Sequence, residues 1–480
     1  MSPKITDIVV HDVRFPTSVE GSSGPMLDRV DHSCTYVILD TDITKYKGYG
    51  IAATQGRGNE FGTYINADIL SFSRFPLLII DFTVVQTCKL MFELRVKNRT
   101  TEEIYSDFAK FWRELTTDVE LRWLGPECGV VHLATAAIVN ALWDLWARIE
   151  GKPVWKLLAD MTPEQLVSTV DFRYITDVVT KEDAIQMLKE NQDKEEKREE
   201  NTLRSKGYPT YTSDVGRYTL RKQQVRSACS KFKKLDFTNF KTIVGPKVPE
   251  SEYRCNVIRS VVGGKVRLMV DASQICESAN EAITVVKGIK KTRPYCIEPT
   301  SADDVLEHTM VLDELKKLEP KVRVTCGETC ANRVMFKQFL KIGGADFWSI
   351  NVGRLGGVNE ALAVYFMARK HNKPVWGHAG GVGLGEMIQH LQIWNHICLG
   401  APTDTDGMIE FVSHQHGYFV DPVFIRNAHY LLPERPGFST QLKNKCIARW
   451  SYPEGTRWKF IIFQKKKEEK EKQKQKQKQK

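Results

Sequence analysis

No C-x-x-C pair occurs among the eleven cysteines, and no run of 18 apolar residues occurs anywhere in the 480-residue chain. The first absence leaves Cys326 and Cys330, the nearest pair, without a second pair to complete a zinc site. The second leaves no segment patterned to span a bilayer. The opening MSPKITDIVV has no apolar signal-peptide core and no Arg/Ser-rich transit pattern. Scattered, odd-numbered cysteines fit a reducing compartment, most simply the cytosol, with a mitochondrial address left open. No short repeat is present beyond an alternation of strand-like and helix-like segments.

What is present is ordinary for a soluble globular chain: 42% hydrophobic, 27% charged and 10% aromatic. That composition excludes a collagen, a coiled-coil rod or a wholly disordered chain. The net charge of +10 invites a nucleic-acid or membrane-surface reading. Its location argues against both. The terminal KKKEEKEKQKQKQKQK (465–480) holds nine Lys and three Glu, a net +6, which leaves +4 for the rest. The Lys-Gln alternation has no apolar residue to pack, so residues 464–480 are expected as a disordered basic tail. The near-neutral body carries no nucleic-acid motif.

Ile5 to Val13 and Cys34 to Asp40 alternate like strands, separated by a Gly/Ser-rich loop around Gly21 to Gly24 that has the makings of a lid. Helical spacing covers Glu102 to Leu115. It is clearest from about His132 to Glu150, through Ala134, Ile138, Leu142, Leu145 and Ile149, with Gly151 and Pro153 as the stop. From about Val167 short apolar runs alternate with amphipathic stretches. Eight strands are expected at Ser168 to Tyr174, Asn239 to Val244, Val266 to Asp271, Pro294 to Glu298, Arg323 to Cys326, Phe347 to Val352, Val375 to Gly377 and Met408 to Phe411. This is the rhythm of an α/β protein built on a TIM-type barrel.

Three carboxylates end three successive expected strands: Asp271, Glu298 and Glu328, spaced by 27 and 30 residues. Equivalent strand ends of a parallel barrel face one mouth. Three carboxylates converging there repel one another unless a divalent cation lies between them, and hard oxygen donors favour Mg²⁺. Lys241 projects from an earlier strand end and His378 from a later one, where Gly380, Gly381, Gly383 and Gly385 let backbone approach a ligand. Glu410 ends the last strand. A Lys, a His and a metal between them suit proton abstraction beside a carboxylate, with the metal stabilising the enediolate.

On these residues, and on RWLGPECGVVHLATAAIVNALWDLWARIEGKPVWKLL (122–158), GYPTYT (207–212), EPTSADD (298–304), GRLGGVNEAL (353–362) and HAGGVGLGEMIQHL (378–391), the chain resembles the mandelate-racemase branch of the enolase superfamily. Within it the chain is most similar to the L-fuconate dehydratases. The resemblance implies an α+β capping domain over 1–163 and a modified (β/α)₇β barrel over 164–440. Residues 441–463 would then pack back on the body. It implies Mg²⁺ on Asp271, Glu298 and Glu328, His378 as the acid that expels a 3-hydroxyl, and Glu410 near the substrate carboxylate. It further implies a sugar-acid substrate, a 2-keto-3-deoxy product and a homo-oligomer.

The departures from that pattern bear on turnover. The family's K-x-K strand ends in a Lys that takes the α-proton; here KTI places Ile243 there, and only Lys241 of the pair remains. Lys247 has the same parity but lies beyond Gly245 and Pro246. Asn351 stands where the family has an Asp that orients the histidine, so no negative charge supports the imidazole. One Glu ends a strand that ends in two in the family, and Ser273 replaces an Asn. Two readings follow: an impaired or altered dehydratase, or a non-catalytic relative that binds a sugar acid or a macromolecule.

Overall fold

The structure, a computed structural model, describes residues 2–16, 31–55, 83–125, 127–216, 220–272, 275–299, 304–403 and 406–478. The loop around Gly21 to Gly24, the stretch Phe61 to Phe82 and Ser273 lie outside them. Strands β1 (Ile5–Phe15), β2 (His32–Thr41) and β3 (Lys47–Gln55) form an antiparallel cap sheet in that order. β3 escaped the sequence reading because its Gly48 and Gly50 look like turn residues. They serve close packing instead. The helix Gly129–Ile149 lies so near β3 that a methyl group on Gly50 would fall 2.0 Å from the Ala137 carbonyl oxygen. Gly50→Ala is therefore expected to cost about 1–3 kcal/mol, read as a lower urea midpoint at unchanged slope.

That helix is, among the described residues, the one long and apolar enough to cross a membrane by length and composition. It is instead the core helix of the cap, with 83% of its apolar window buried. Its buried Asp144 accepts from the Tyr49 N–H at 3.0 Å, the Phe438 N–H at 2.7 Å and Arg148 Nε at 2.6 Å. One carboxylate thus joins cap sheet, cap helix and a distant C-terminal segment.

Eight parallel strands close a barrel. They are β4 (Tyr208–Thr212), β5 (Asn239–Ile243), β6 (Arg267–Asp271), β7 (Pro294–Glu298), β8 (Arg323–Cys326), β9 (Phe347–Ile350), β10 (Val375–Gly377) and β11 (Ile409–Phe411). Neighbours in sequence pair throughout, and β11 pairs with β4 to complete the ring. Seven of the eight coincide with expected strands. The first does not: Ser168 ends the short helix Pro163–Ser168, the residues on to Tyr174 form no strand, and the barrel begins at Tyr208. Pro209 lies second in this strand. It is tolerated because β4 begins beside a small hairpin, β12 (Ile425–Arg426) and β13 (His429–Tyr430), at its outer end.

All eleven thiols are free and ten are buried, so no disulfide holds the fold. After the barrel the chain returns to the cap: the Tyr452 N–H donates to Asp12 O at 2.7 Å and Trp458 Nε1 to Arg14 O at 3.0 Å. The basic tail departs from expectation. It continues a helix, Thr456–Lys478, although its side chains from Phe463 to Gln475 are exposed. Lys, Glu and Gln are strong helix formers, so an established helix extends into them without a surface to pack on.

Cap and barrel meet along a seam of buried polar contacts. Trp112 Nε1 donates to Gly356 O at 2.6 Å, Trp143 Nε1 to Asn359 Oδ1 at 2.7 Å and Trp155 Nε1 to Pro433 O at 2.8 Å. The end of β3 lies over the barrel mouth, where the Ala53 N–H donates to Gly353 O at 3.2 Å.

Candidate active site

The parallel register gathers the strand-end residues. Ile243 lies beside Asp271, and Asp271 beside Glu298. Glu328 follows β8, Asn351 follows β9, His378 follows β10, and Glu410 lies within β11. Lys241, Glu298, His378 and Glu410 are all buried.

Two charged groupings result. On one side Lys241 Nζ donates to Glu298 Oε2 at 2.7 Å and pairs with Asp271 Oδ2 at 2.8 Å. On the other, His378 Nδ1 stands 3.0 Å from Glu328 Oε2 and 3.1 Å from Glu410 Oε2, close enough for ion pairing, though its N–H is aligned on neither. Glu410 also accepts from the Ala379 N–H at 3.0 Å and from the Ser213 hydroxyl. Ser213 went unnoticed in the sequence because it follows β4, the strand placed elsewhere. Gly380 keeps the imidazole accessible, since a Cβ there would fall 2.9 Å from His378 Cε1.

Four carboxylates therefore face one ammonium and one imidazole, and their acidities diverge. Burial, then the charge of Glu328, pushes the Glu298 carboxyl up to about 8, against the pull of Lys241. Burial also opposes ionisation of Glu328, but His378 and Lys241 prevail and hold it at about 2. Burial would lower the imidazole of His378; Glu328 and Glu410 outweigh it and raise it to about 10. Lys241 is likewise raised well above its ordinary value, because Asp271 and Glu298 outweigh its burial. The raised Glu298 reflects its burial first and the neighbouring Glu328 second.

The donor set of three hard carboxylates fits a divalent cation such as Mg²⁺ in its chemistry. In spacing, no group of three His, Cys, Asp or Glu side chains among the described residues stands ready to hold a metal ion. The Lys241 ammonium is bonded between two of the three carboxylates.

Asn351 is not drawn to the histidine. Its Oδ1 accepts from the Gly353 N–H at 3.1 Å and so caps its own turn. Ile243 is 8% exposed and lines a cavity of about 510 Å³ beside β5, with Val225, Val257, Lys222 and Arg254. None of the carboxylates lines that cavity. Lys247 points outward, 76% exposed and 3.3 Å from Glu250, so it is no substitute base.

Residues 223–446 match the family model described as Enolase C-terminal domain-like. The human Mitochondrial enolase superfamily member 1 is 41% identical over 462 residues, covering 96% of this chain and 98% of the relative. Its crystal structure superposes with a TM-score of 0.88 over 96% of this chain and 99% of its own. The L-galactonate dehydratase of Hypocrea jecorina is 38% identical over 461 residues, 95% of this chain and 96% of the relative. The L-talarate/galactarate dehydratase of Salmonella typhimurium LT2, solved with Mg and L-lyxarohydroxamate, shares the fold at 17% identity. Its TM-score is 0.68 over 94% of this chain and 93% of its own. A closed parallel barrel under an antiparallel cap, with near-full-length identity of about 40% to a named member, leaves one assignment: the chain belongs to the enolase superfamily.

Proposed function

We propose that this protein is a Mg²⁺-dependent hydro-lyase acting on a sugar acid of the L-fuconate or L-galactonate kind. The observation that carries this is the opposition of Lys241 and His378 across a cluster of four carboxylates, of which Glu298 and Glu410 are buried. A relative named L-galactonate dehydratase, similar over 95% of the chain, supports the substrate class.

Asp271, Glu298 and Glu328 would hold the cation. Bound there, it supplies positive charge against the negative charge that develops on the substrate carboxylate during proton removal. Lys241, once its ammonium has given up a proton, takes the α-proton in place of the residue that Ile243 displaces. His378, kept cationic by Glu328 and Glu410, protonates the departing 3-hydroxyl. The C2–H and C3–O bonds break, water leaves, and the enol product tautomerises to a 2-keto-3-deoxy acid. Glu410, fixed by Ser213 and the Ala379 N–H, holds the imidazole in place. The unaided Ile243 and the averted Asn351 predict slow turnover, and the same two residues favour a second reading, a non-catalytic sugar-acid binder. The relatives named mitochondrial suggest that organelle over the cytosol, and self-association is expected by family likeness.

Purified protein with MgCl₂ and L-fuconate, L-galactonate or related aldonates is expected to release 2-keto acid slowly. No product above background, beside an active relative assayed in parallel, removes the dehydratase reading. Asp271→Ala is expected to abolish Mg²⁺ binding in isothermal titration. Retained binding removes the ligand assignment.

A further inference from the structure

We infer that Lys241 is a built-in counter-ion that competes with the divalent cation for Asp271 and Glu298 and leaves them when the cation binds, an inference that rests on the Mg²⁺ reading above.

Asp271 and Glu298 are register partners on adjacent parallel strands, so their carboxylates project side by side. The Lys241 ammonium lies within 2.8 Å of one and 2.7 Å of the other. A cation bridging both would need the space the ammonium fills. Two positive centres cannot share it, because their repulsion in a buried site is weakly screened. One must yield.

The side chain is built to do so. Lysine carries its charge on a flexible four-carbon stem with rotatable donors. The next residue of the same strand parity toward the mouth is Ile243, which carries no charge. A second lysine at this position would repel the retreating ammonium; isoleucine does not. Glu410, 3.1 Å from His378, is not among the three carboxylates that would hold the cation. Cation loading and delivery of Lys241 to the reaction become one event, so that the empty protein keeps its base engaged.

The test is titration of full-length protein with MgCl₂, comparing wild type with Lys241→Met, which keeps the length of the side chain and removes its charge. Lys241→Met is expected to bind Mg²⁺ at least about tenfold more tightly, and to show a larger Mg²⁺-induced rise in Tm. Equal or weaker affinity overturns the competition while leaving the metal reading intact. Absence of Mg²⁺ binding by both proteins overturns the metal reading and this one with it. A second measurement needs no variant: reductive methylation of the wild type, followed by peptide mass spectrometry. The Lys241 amine is expected to react faster with Mg²⁺ than without. An unchanged or slower rate overturns displacement.

Discussion

Ile243→Lys combined with Asn351→Asp is expected to raise the dehydration rate by about 10²–10⁴-fold, the usual worth of a positioned general base. Position 243 lies in register beside Asp271 and is almost wholly buried. A lysine there would share the strand parity of Lys241, two residues nearer the mouth. Asn351→Asp restores a negative charge one residue beyond β9. Removing the corresponding carboxylate from a serine-protease triad costs about 10⁴ in kcat. Its return here should do less, because the Asn351 side chain engages Gly353 and Glu410 already serves the imidazole. The effect is read in kcat of the two single variants and the double, since residues acting as a unit are not additive. His378→Asn added to the double should return the rate to background. An inert double variant places the defect outside these two positions.

Glu360→Ala is expected to lower stability by about 3–5 kcal/mol, the cost of stranding buried charges by removing one partner. Glu360 is buried on the barrel helix Val358–Lys370. It is hydrogen-bonded to His132 of the cap helix, accepts from Arg333 Nη1 at 2.9 Å, and accepts from the Gly356 N–H at 2.8 Å. Arg333 in turn pairs with Glu127 at 2.9 Å. Burial opposes the Glu360 charge, but His132 and Arg333 win and hold its carboxyl at about 2. A depressed folded pKa fixes the sign of the pH effect. The stabilisation is complete above the unfolded value near 4.5 and is lost as pH falls through the interval down to about 2. Urea midpoints should therefore decline below about pH 4.5, and less steeply in Glu360→Gln, which carries no titrating carboxyl there.

The site was legible in the sequence where chemistry and period coincided. Asp271, Glu298 and Glu328 each close an apolar run, and spacings of one strand-helix unit forced them onto one mouth. The failures have physical causes. Tyr208–Thr212 was missed because the first barrel strand was expected at Ser168 to Tyr174; Pro209 there pairs with His429 of the outer hairpin. Ser168 to Tyr174 was expected as a strand, yet Asp171 is tied there to Arg113 and Arg173 just ahead of a run of turns. β3 was hidden because a glycine needed for close packing is indistinguishable, in one sequence, from a glycine needed for a turn. The Lys241 bridge could not be foreseen, since it depends on side-chain reach between two strands rather than on order along one. Asn351 is similar: its residue type was evident, but not that its oxygen turns to Gly353.

The tryptophan seam carries a consequence for synthesis. Trp112, Trp143 and Trp155 leave the ribosome early, while their acceptors Gly356, Asn359 and Pro433 follow 244, 216 and 278 residues later. At translation speeds of roughly 5–20 residues per second, that interval is tens of seconds. Throughout it the three indole N–H groups of the nascent cap lack the acceptors they have in the finished fold. A chain built this way invites chaperone capture before its last quarter emerges. Slowing translation after residue 155 should lengthen that dependence more than slowing it before.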